Sequence, residues 1–227
     1  MTKQSNVIVF DLDDTIYKEI DFVRSGFRYV AQVLSEVIPS ANSNDIFDLM
    51  WQTRSQGGDA YDAVIRKFQL GSRSKEKMKE HYRFHQPDIS LEADTKNLLI
   101  RLKAAGAVLC IISDGRQIQQ TNKIAALGLR EFVDDKNIII NSDKERYKPD
   151  PHSFRNIMAR YGDSYYWYIG DNPTKDFKAP NELGWTTVCL LDDGRNCHPQ
   201  AFDLATTYLP AIKIENLLEV WNLCEKH

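Results

Sequence analysis

Asp11 and Asp13 stand one residue apart where the apolar run Val7-Ile8-Val9-Phe10 ends, with Asp14 and Thr15 just behind. Alternation along an extended chain points Asp11 and Asp13 to the same side, and two carboxylates held that close repel unless a cation or a shared proton relieves them. A divalent metal is the natural remedy. Ser113-Asp114-Gly115 follows a second apolar run, Lys148 begins a Lys-Pro-Asp-Pro segment, and Gly170-Asp171 closes a third run, with Asp176 five residues on. Phosphoryl transfer needs a nucleophile, a proton donor, a metal to neutralise charge and fixed donors for the equatorial oxygens. These residues supply each type. Asp11 would attack phosphorus to give an acyl phosphate, and Asp13 would protonate the leaving oxygen and later deprotonate water. Asp171 would complete the metal site, and Ser113 and Lys148 would donate to the phosphoryl oxygens, Lys148 as a compact positive charge. Plainer roles are open to the same residues. Strand-end carboxylates also cap turns, serine caps helices, a lone lysine is usually a surface lysine, and Asp176 could be a helix-face charge.

The elements that must place these side chains follow from periodicity. Val7 to Phe10, packed on both faces, suits a buried parallel strand, whose carboxyl end is where open α/β sheets hold their ligands. From Asp21, the spacing of Phe22, Val23, Phe27, Val30, Val33, Leu34 and Val37 predicts an amphipathic helix ending near Pro39. A second helix, with Ser43 as N-cap, would bury Ile46, Phe47, Met50 and Trp51. A third carries Tyr61, Val64, Ile65 and Phe68 and stops at Gly71, and a charged fourth runs from Ser74 to His85. Residues 18–88 therefore read as an all-helical insert, in the position of a lid, interrupting a core of 1–17 and 89–227. After it, helix and strand alternate: a helix Asp94–Ala105, strand Ala107–Ile112, helix Gln117–Leu127 and strand Asn137–Ile140. A helix opened by the prolines after Lys148, strands Tyr165–Ile169 and Thr186–Leu191, and a closing helix Ile214–Cys224 complete the pattern. Strands separated by helices imply a doubly wound parallel α/β sheet.

With 227 residues, 42% hydrophobic and 27% charged, the chain has the composition of a globular protein large enough to bury a core. A net charge of -3 leaves no electrostatic footprint for nucleic acid or an anionic membrane. The polar lead Met1–Asn6 and the lack of a run near the ~20 apolar residues of a membrane span point to the cytoplasm. Cys110, Cys189, Cys197 and Cys224 lack paired spacing and read as buried thiols. His81 and His85 are four apart on a helix, but without a third ligand they read as packing, with His85 seating the insert. Phe47, Trp51 and Tyr61 could line a substrate pocket but at helical spacing read first as core, Lys75, Lys77 and Lys79 read as a solvated face, and Arg24, Arg54 and Arg66 as possible substrate anchors.

Asp11-Leu12-Asp13-Asp14-Thr15, then Ser113, then Lys148-Pro149, then Gly170-Asp171-Asn172-Pro173-Thr174-Lys175-Asp176 resembles the four ordered motifs of the haloacid dehalogenase superfamily. The resemblance implies a Rossmann-like core of strand order 5-4-1-2-3 with a helical cap inserted after the first motif. It implies Mg2+ bound by the Asp11 side chain, the Asp13 carbonyl and Asp171, with Asp176 supporting that site from behind. Backbone amides of Leu12, Asp14 and Asp114 would help hold the phosphate. Dehalogenating members lack the second aspartate, so Asp13 favours hydrolysis of a small phosphate ester, a sugar phosphate before a nucleoside monophosphate. Tyr82–Pro87, Asp114-Gly115-Arg116, Lys123-Ile124 and Lys148-Pro149 further resemble the branch holding N-acylneuraminate-9-phosphatase and pyrimidine nucleotidases. Asp114 and Arg146 depart from that branch, and Pro180 should kink or restart its helix. A phosphomutase would use the same residues, and a receiver-like signalling module is the alternative from another class.

Overall fold

The computed structural model describes residues 5–39, 41–71 and 73–224, so most of the polar lead segment lies outside the described residues. The chain divides into two compact units, residues 1–19 with 90–227, and residues 20–89. In the larger unit the strands are β1 (Asn6–Phe10), β2 (Val108–Asp114), β3 (Ile138–Asn141), β4 (Tyr165–Gly170), β5 (Thr186–Leu190) and β6 (Ile212–Ile214). They form one sheet, every pair parallel, in the order β3-β2-β1-β4-β5-β6. This is the α/β Rossmann-like architecture read from the sequence, extended by one strand. The helix expected over Ile214–Cys224 is confined to Glu219–Cys224, and Ile214 instead belongs to β6, where its carbonyl accepts the Leu191 N–H at 2.8 Å. A three-residue strand carries too little alternation to be read from pattern.

Register aligns the strand ends that matter. Phe10 pairs with both Ile111 of β2 and Ile169 of β4, so the residues just past each meet at one sheet edge. Val7 and Val9 join Cys110, Ile112, Phe154, Tyr168, Phe177 and Trp185 in one buried cluster. Ile8 and Phe10, on the opposite face by alternation, are equally buried. Four further helices, α5 (Ala93–Ala104), α6 (Gln117–Ala126), α7 (His152–Tyr161) and α8 (Lys178–Glu182), connect the strands, and α9 (Glu219–Cys224) ends the described chain. The helix after Lys148 starts only at His152, Pro151 being its N-cap. Cys110, Cys189 and Cys224 are buried, whereas Cys197 is half-buried in the loop after β5. Among the described residues no helix is long and apolar enough to cross a membrane.

The smaller unit is helical: α1 (Glu19–Val37, its first residue in the larger unit), α2 (Ser43–Ser55), α3 (Ala60–Phe68) and α4 (Ser74–Phe84). Phe22, Phe27, Val30 and Leu34 form the buried stripe of α1. Two caps differ from the sequence reading. Asn42 rather than Ser43 caps α2, its side chain accepting the Asp45 N–H, and α3 ends at Gln69 in the left-handed region, φ 52°, rather than at Gly71. Both follow from the apolar stripes, which fix the first turn of α2 and the last turn of α3, and the residue just outside takes the cap. Phe47 and Trp51 are half-buried and stacked at 5.9 Å, with the Arg24 guanidinium 4.9 Å over Trp51. Lys75, expected as solvated, pairs with Asp59 and Asp62 at 2.9 and 2.8 Å.

Candidate active site

Asp11 is the first residue past β1, and its N–H still donates to the Ile169 carbonyl at 2.8 Å, so the carboxylate is fixed where the sheet ends. It is 2% exposed. Lys148 Nζ lies 2.8 Å from Asp11 Oδ1 and 2.7 Å from Asp176 Oδ1, and donates to the Tyr168 hydroxyl at 2.8 Å. Its three N–H groups are thereby committed. Burial opposes the Lys148 charge, but Asp11 and Asp176 outweigh it and hold the ammonium above its ordinary value. Asp176 is fully buried; its Oδ1 also accepts from Tyr168 at 3.2 Å and its Oδ2 accepts the Asn172 N–H at 2.8 Å. Burial would raise Asp176, yet Lys148 and Lys175 bring it below the ordinary carboxylate value.

Asp11 Oδ2 is buried with no hydrogen-bond partner. Burial, with the neighbouring Asp176 adding and Lys148 opposing, pushes Asp11 up to about 6. Asp171, past β4, is pushed up to about 9 by burial and by Asp176 and Asp11. Its Oδ2 accepts from Asn196 Nδ2 at 3.2 Å, and its carbonyl from Gln200 Nε2 at 2.6 Å. Asp11, Asp171 and Asp176 each offer an oxygen within 4.8 Å of the others. Crowded buried carboxylates, one oxygen unpartnered and two groups pushed toward neutrality, fit a hard divalent cation, which takes oxygen ligands.

Asp13 sits opposite this cluster in character. Tyr17 Oη donates to its Oδ1 at 2.6 Å, Lys123 Nζ lies 2.7 and 2.9 Å from Oδ1 and Oδ2, and Gln120 Nε2 donates to Oδ2 at 2.9 Å. Burial would raise Asp13; the Lys123 charge and these hydrogen bonds bring it below the ordinary value instead. Ser113, on β2 and 1% exposed, accepts from Gln120 Nε2 at 2.6 Å. Asp114 turns away from the centre, accepting from Asn141 Nδ2 at 2.8 Å and from the Lys148 N–H at 3.1 Å, so it braces the loop that carries Lys148.

Asp11, Lys148, Asp171 and Asp176 thus meet in one cluster, and Asp13 meets Ser113 through Gln120. The sequence analysis gives no site role to Lys123 and Lys175, which it names only within motifs, and none to Gln120, Tyr17 or Asn196. Periodicity does not mark Gln120 and Lys123, because α6 buries the polar Gln120, Asn122 and Lys123 beside Ile124. Asn196 comes from the loop after β5, which also clamps the first motif: the Cys197 N–H donates to Asp14 Oδ2 and Lys18 Nζ to Asn196 Oδ1, both at 2.8 Å. Asp14 itself is left-handed, φ 55°, and its other oxygen accepts the Glu19 N–H, so its nearness to Glu19 and Cys197 is accounted for by the turn.

The sequence pattern of the haloacid dehalogenase-like hydrolase family matches residues 8–190. A glyceraldehyde 3-phosphate phosphatase of Methanocaldococcus jannaschii is 28% identical over 194 residues, covering 81% of this chain and 84% of that protein. The magnesium-bound HAD-hydrolase YfnB of Bacillus subtilis superposes with a TM-score of 0.63 at 18% identity, over 98% of this chain and 99% of that one. A 2-haloacid dehalogenase of Pseudomonas syringae superposes with a TM-score of 0.60 at 18% identity, over 98% and 99%. These structural likenesses carry the fold alone and leave the reaction to be read from the site. The family match spans every candidate residue from Asp11 to Asp176, and the chain belongs to the haloacid dehalogenase-like hydrolase family.

Proposed function

We propose that the chain is a magnesium-dependent phosphatase that hydrolyses a small phosphomonoester, a sugar phosphate before a nucleoside monophosphate, through an aspartyl phosphate on Asp11. The observation that carries this reading is Asp13, a second carboxylate one residue from the nucleophile. A departing halide needs no proton; the alkoxide of a phosphate ester does. Asp11 attacks phosphorus as the ester P–O bond breaks; Asp13, which Lys123 holds ionised in the substrate-free site, takes up a proton as the anionic ester binds beside it and gives that proton to the departing oxygen. Asp13 then takes a proton from water, whose oxygen displaces Asp11 from phosphorus, releasing inorganic phosphate and restoring the Asp11 carboxylate and the protonated Asp13. Ser113 is a donor for the phosphoryl oxygens, and Lys148, its N–H groups engaged by Asp11, Asp176 and Tyr168, fixes the orientation of Asp11 and lends positive charge beside the phosphoryl group. Asp11, the Asp13 carbonyl and Asp171 would hold magnesium, with Asp176 supporting, and the ion when bound supplies neutralisation of phosphoryl charge. Asp176 is suited to support because Lys148, Tyr168 and Asn172 already engage its oxygens.

The name of the archaeal relative, a glyceraldehyde 3-phosphate phosphatase, favours the sugar-phosphate class. The helical insert is the proposed specificity element. It holds a cleft of about 300 Å³ lined by Ile20, Trp51, Arg54 and Ser55, in which the Arg54 guanidinium suits an anionic group. The test is phosphate release from a panel of sugar phosphates, nucleotides and other phosphate esters, with and without magnesium, using Asp11→Asn as control. Metal-dependent release lost in that variant supports the reading. Negligible release from every ester overturns it in favour of transfer to another acceptor or a signalling role.

A further inference from the structure

α6 is an unusual connector. A helix that only packs beside a sheet presents Leu or Ile inward, yet this one buries Gln120 and Lys123, 2% and 3% exposed, which strips the lysine of water. Both side chains, three residues apart and so on one face, reach the same group. Lys123 Nζ spans the two oxygens of Asp13, and Gln120 Nε2 bridges Asp13 Oδ2 and Ser113 Oγ. The Tyr17 hydroxyl closes the set on Oδ1, and Glu19 Oε1 lies 3.8 Å from Lys123 Nζ. The Asp13 side chain is 19% exposed and that of Lys123 is 4%, so the carboxylate is the more accessible end of this ion pair.

We infer that α6 is the element that positions the general acid, with Lys123 and Gln120 as positioning residues that fix Asp13 against the departing oxygen and tie it to the Ser113 hydroxyl. This rests on the phosphatase reading above. A proton donor displaced by about 1 Å loses on the order of a hundredfold in rate, so orientation of this kind has a measurable value. It also has a signature. A helix that merely props the fold affects all substrates alike, whereas one that positions the acid matters only when the leaving group needs a proton. The ratio kcat/KM reports steps up to loss of the leaving group, so water activation in the second half of the cycle does not enter it.

The experiment compares two esters: the alkyl phosphate that the wild type turns over fastest, and 4-nitrophenyl phosphate, whose phenolate leaves unprotonated. Lys123→Met is expected to lower kcat/KM for the alkyl ester by roughly 10- to 100-fold and for the aryl ester by less than about threefold. Asp13→Asn should show the same selectivity, and the double variant Asp13→Asn with Lys123→Met should be no slower on the alkyl ester than Asp13→Asn alone, because the two act through one group. Equal losses on both esters, or additive losses in the double variant, overturn the inference and leave phosphatase activity standing. A wild type inactive on both esters overturns the phosphatase reading and the inference with it. If Lys123→Met does not fold, Gln120→Leu carries the same comparison, with a smaller selective loss expected and an unselective one overturning.

Discussion

At the scale of single residues, the site turns on two carboxylates that share a strand end and differ in surroundings. Asp11 lies beside two other buried acids and keeps one oxygen unpartnered, while Asp13 is wrapped by donors. Lys148 is what allows the first arrangement to exist, since its ammonium touches Asp11 and Asp176 and its side chain is wholly buried. Removing a buried partner leaves uncompensated charge, at a cost of about 3–5 kcal/mol. Lys148→Met is therefore expected to lower the midpoint of urea unfolding sharply and to abolish turnover. A midpoint unchanged from wild type would mean that Asp11 and Asp176 do not depend on it. Asp11→Asn should instead keep or raise the metal-free midpoint, because it removes one of the crowded charges, while eliminating turnover; activity in a clean preparation would remove Asp11 as nucleophile. Asp11, Asp13, Ser113, Lys148, Asp171 and Asp176 were legible because each lies at or near the end of a predicted strand or in an ordered motif. Gln120 and Lys123 were not, because a helix places side chains by its phase against the sheet, which periodicity fixes only when the inward face is apolar.

At the scale of elements, the strand ends are held by close approaches that leave little room. Gly170 ends β4, and a Cβ there would come within 2.7 Å of Asp176 Oδ2 and 2.9 Å of its Cγ. Asp176 cannot retreat without breaking its bonds to Lys148 and the Asn172 N–H. Gly170→Ala should therefore destabilise by about 1–3 kcal/mol, the usual range for overpacking, and should weaken magnesium binding, measured by calorimetric titration. Unaltered metal affinity would detach Asp176 from the metal site. The helical unit has a counterpart at Gly26 of α1, where a Cβ would sit 2.4 Å from the Tyr82 ring of α4. Gly26→Ala should lower thermal stability through that one helix contact, and an unchanged melting temperature would show that the ring moves freely. The parallel sheet and its connecting helices could be read from sequence because long periodic runs specify them. β6, the Asn42 cap and the Gln69 stop could not, since a three-residue strand shows too little alternation and each cap depends on where a neighbouring apolar run begins or ends.

At the scale of the whole molecule, the acid cluster sets how stability depends on pH, and the sign distinguishes it from ordinary surface carboxylates. Asp11 and Asp171 are raised from 3.8 to about 6 and about 9, so their protonated forms are favoured in the folded state. Their contribution is complete below the unfolded carboxylate value and is lost as pH rises through about 6 and then about 9. Asp13 and Asp176 are held low, so theirs is present above the unfolded value and is lost as pH falls through their folded values, in the acid range. The metal-free protein should therefore lose stability at both ends, and between about pH 5 and 9 it should weaken as pH rises. A divalent cation bound by Asp11 and Asp171 has to displace their protons, so magnesium should stabilise more at pH 9 than at pH 6 and should release protons on binding. Thermal unfolding with EDTA and with excess magnesium at several pH values measures the first effect. Calorimetric titration in buffers of different ionisation enthalpy measures the second. Asp171→Asn should flatten the metal-free profile above neutrality and remove both magnesium effects. A profile that rises steadily to pH 9 in EDTA, or a magnesium shift independent of pH, would show that these two carboxylates are ionised without metal, and that the cluster is neutralised by Lys148 and Lys175 alone.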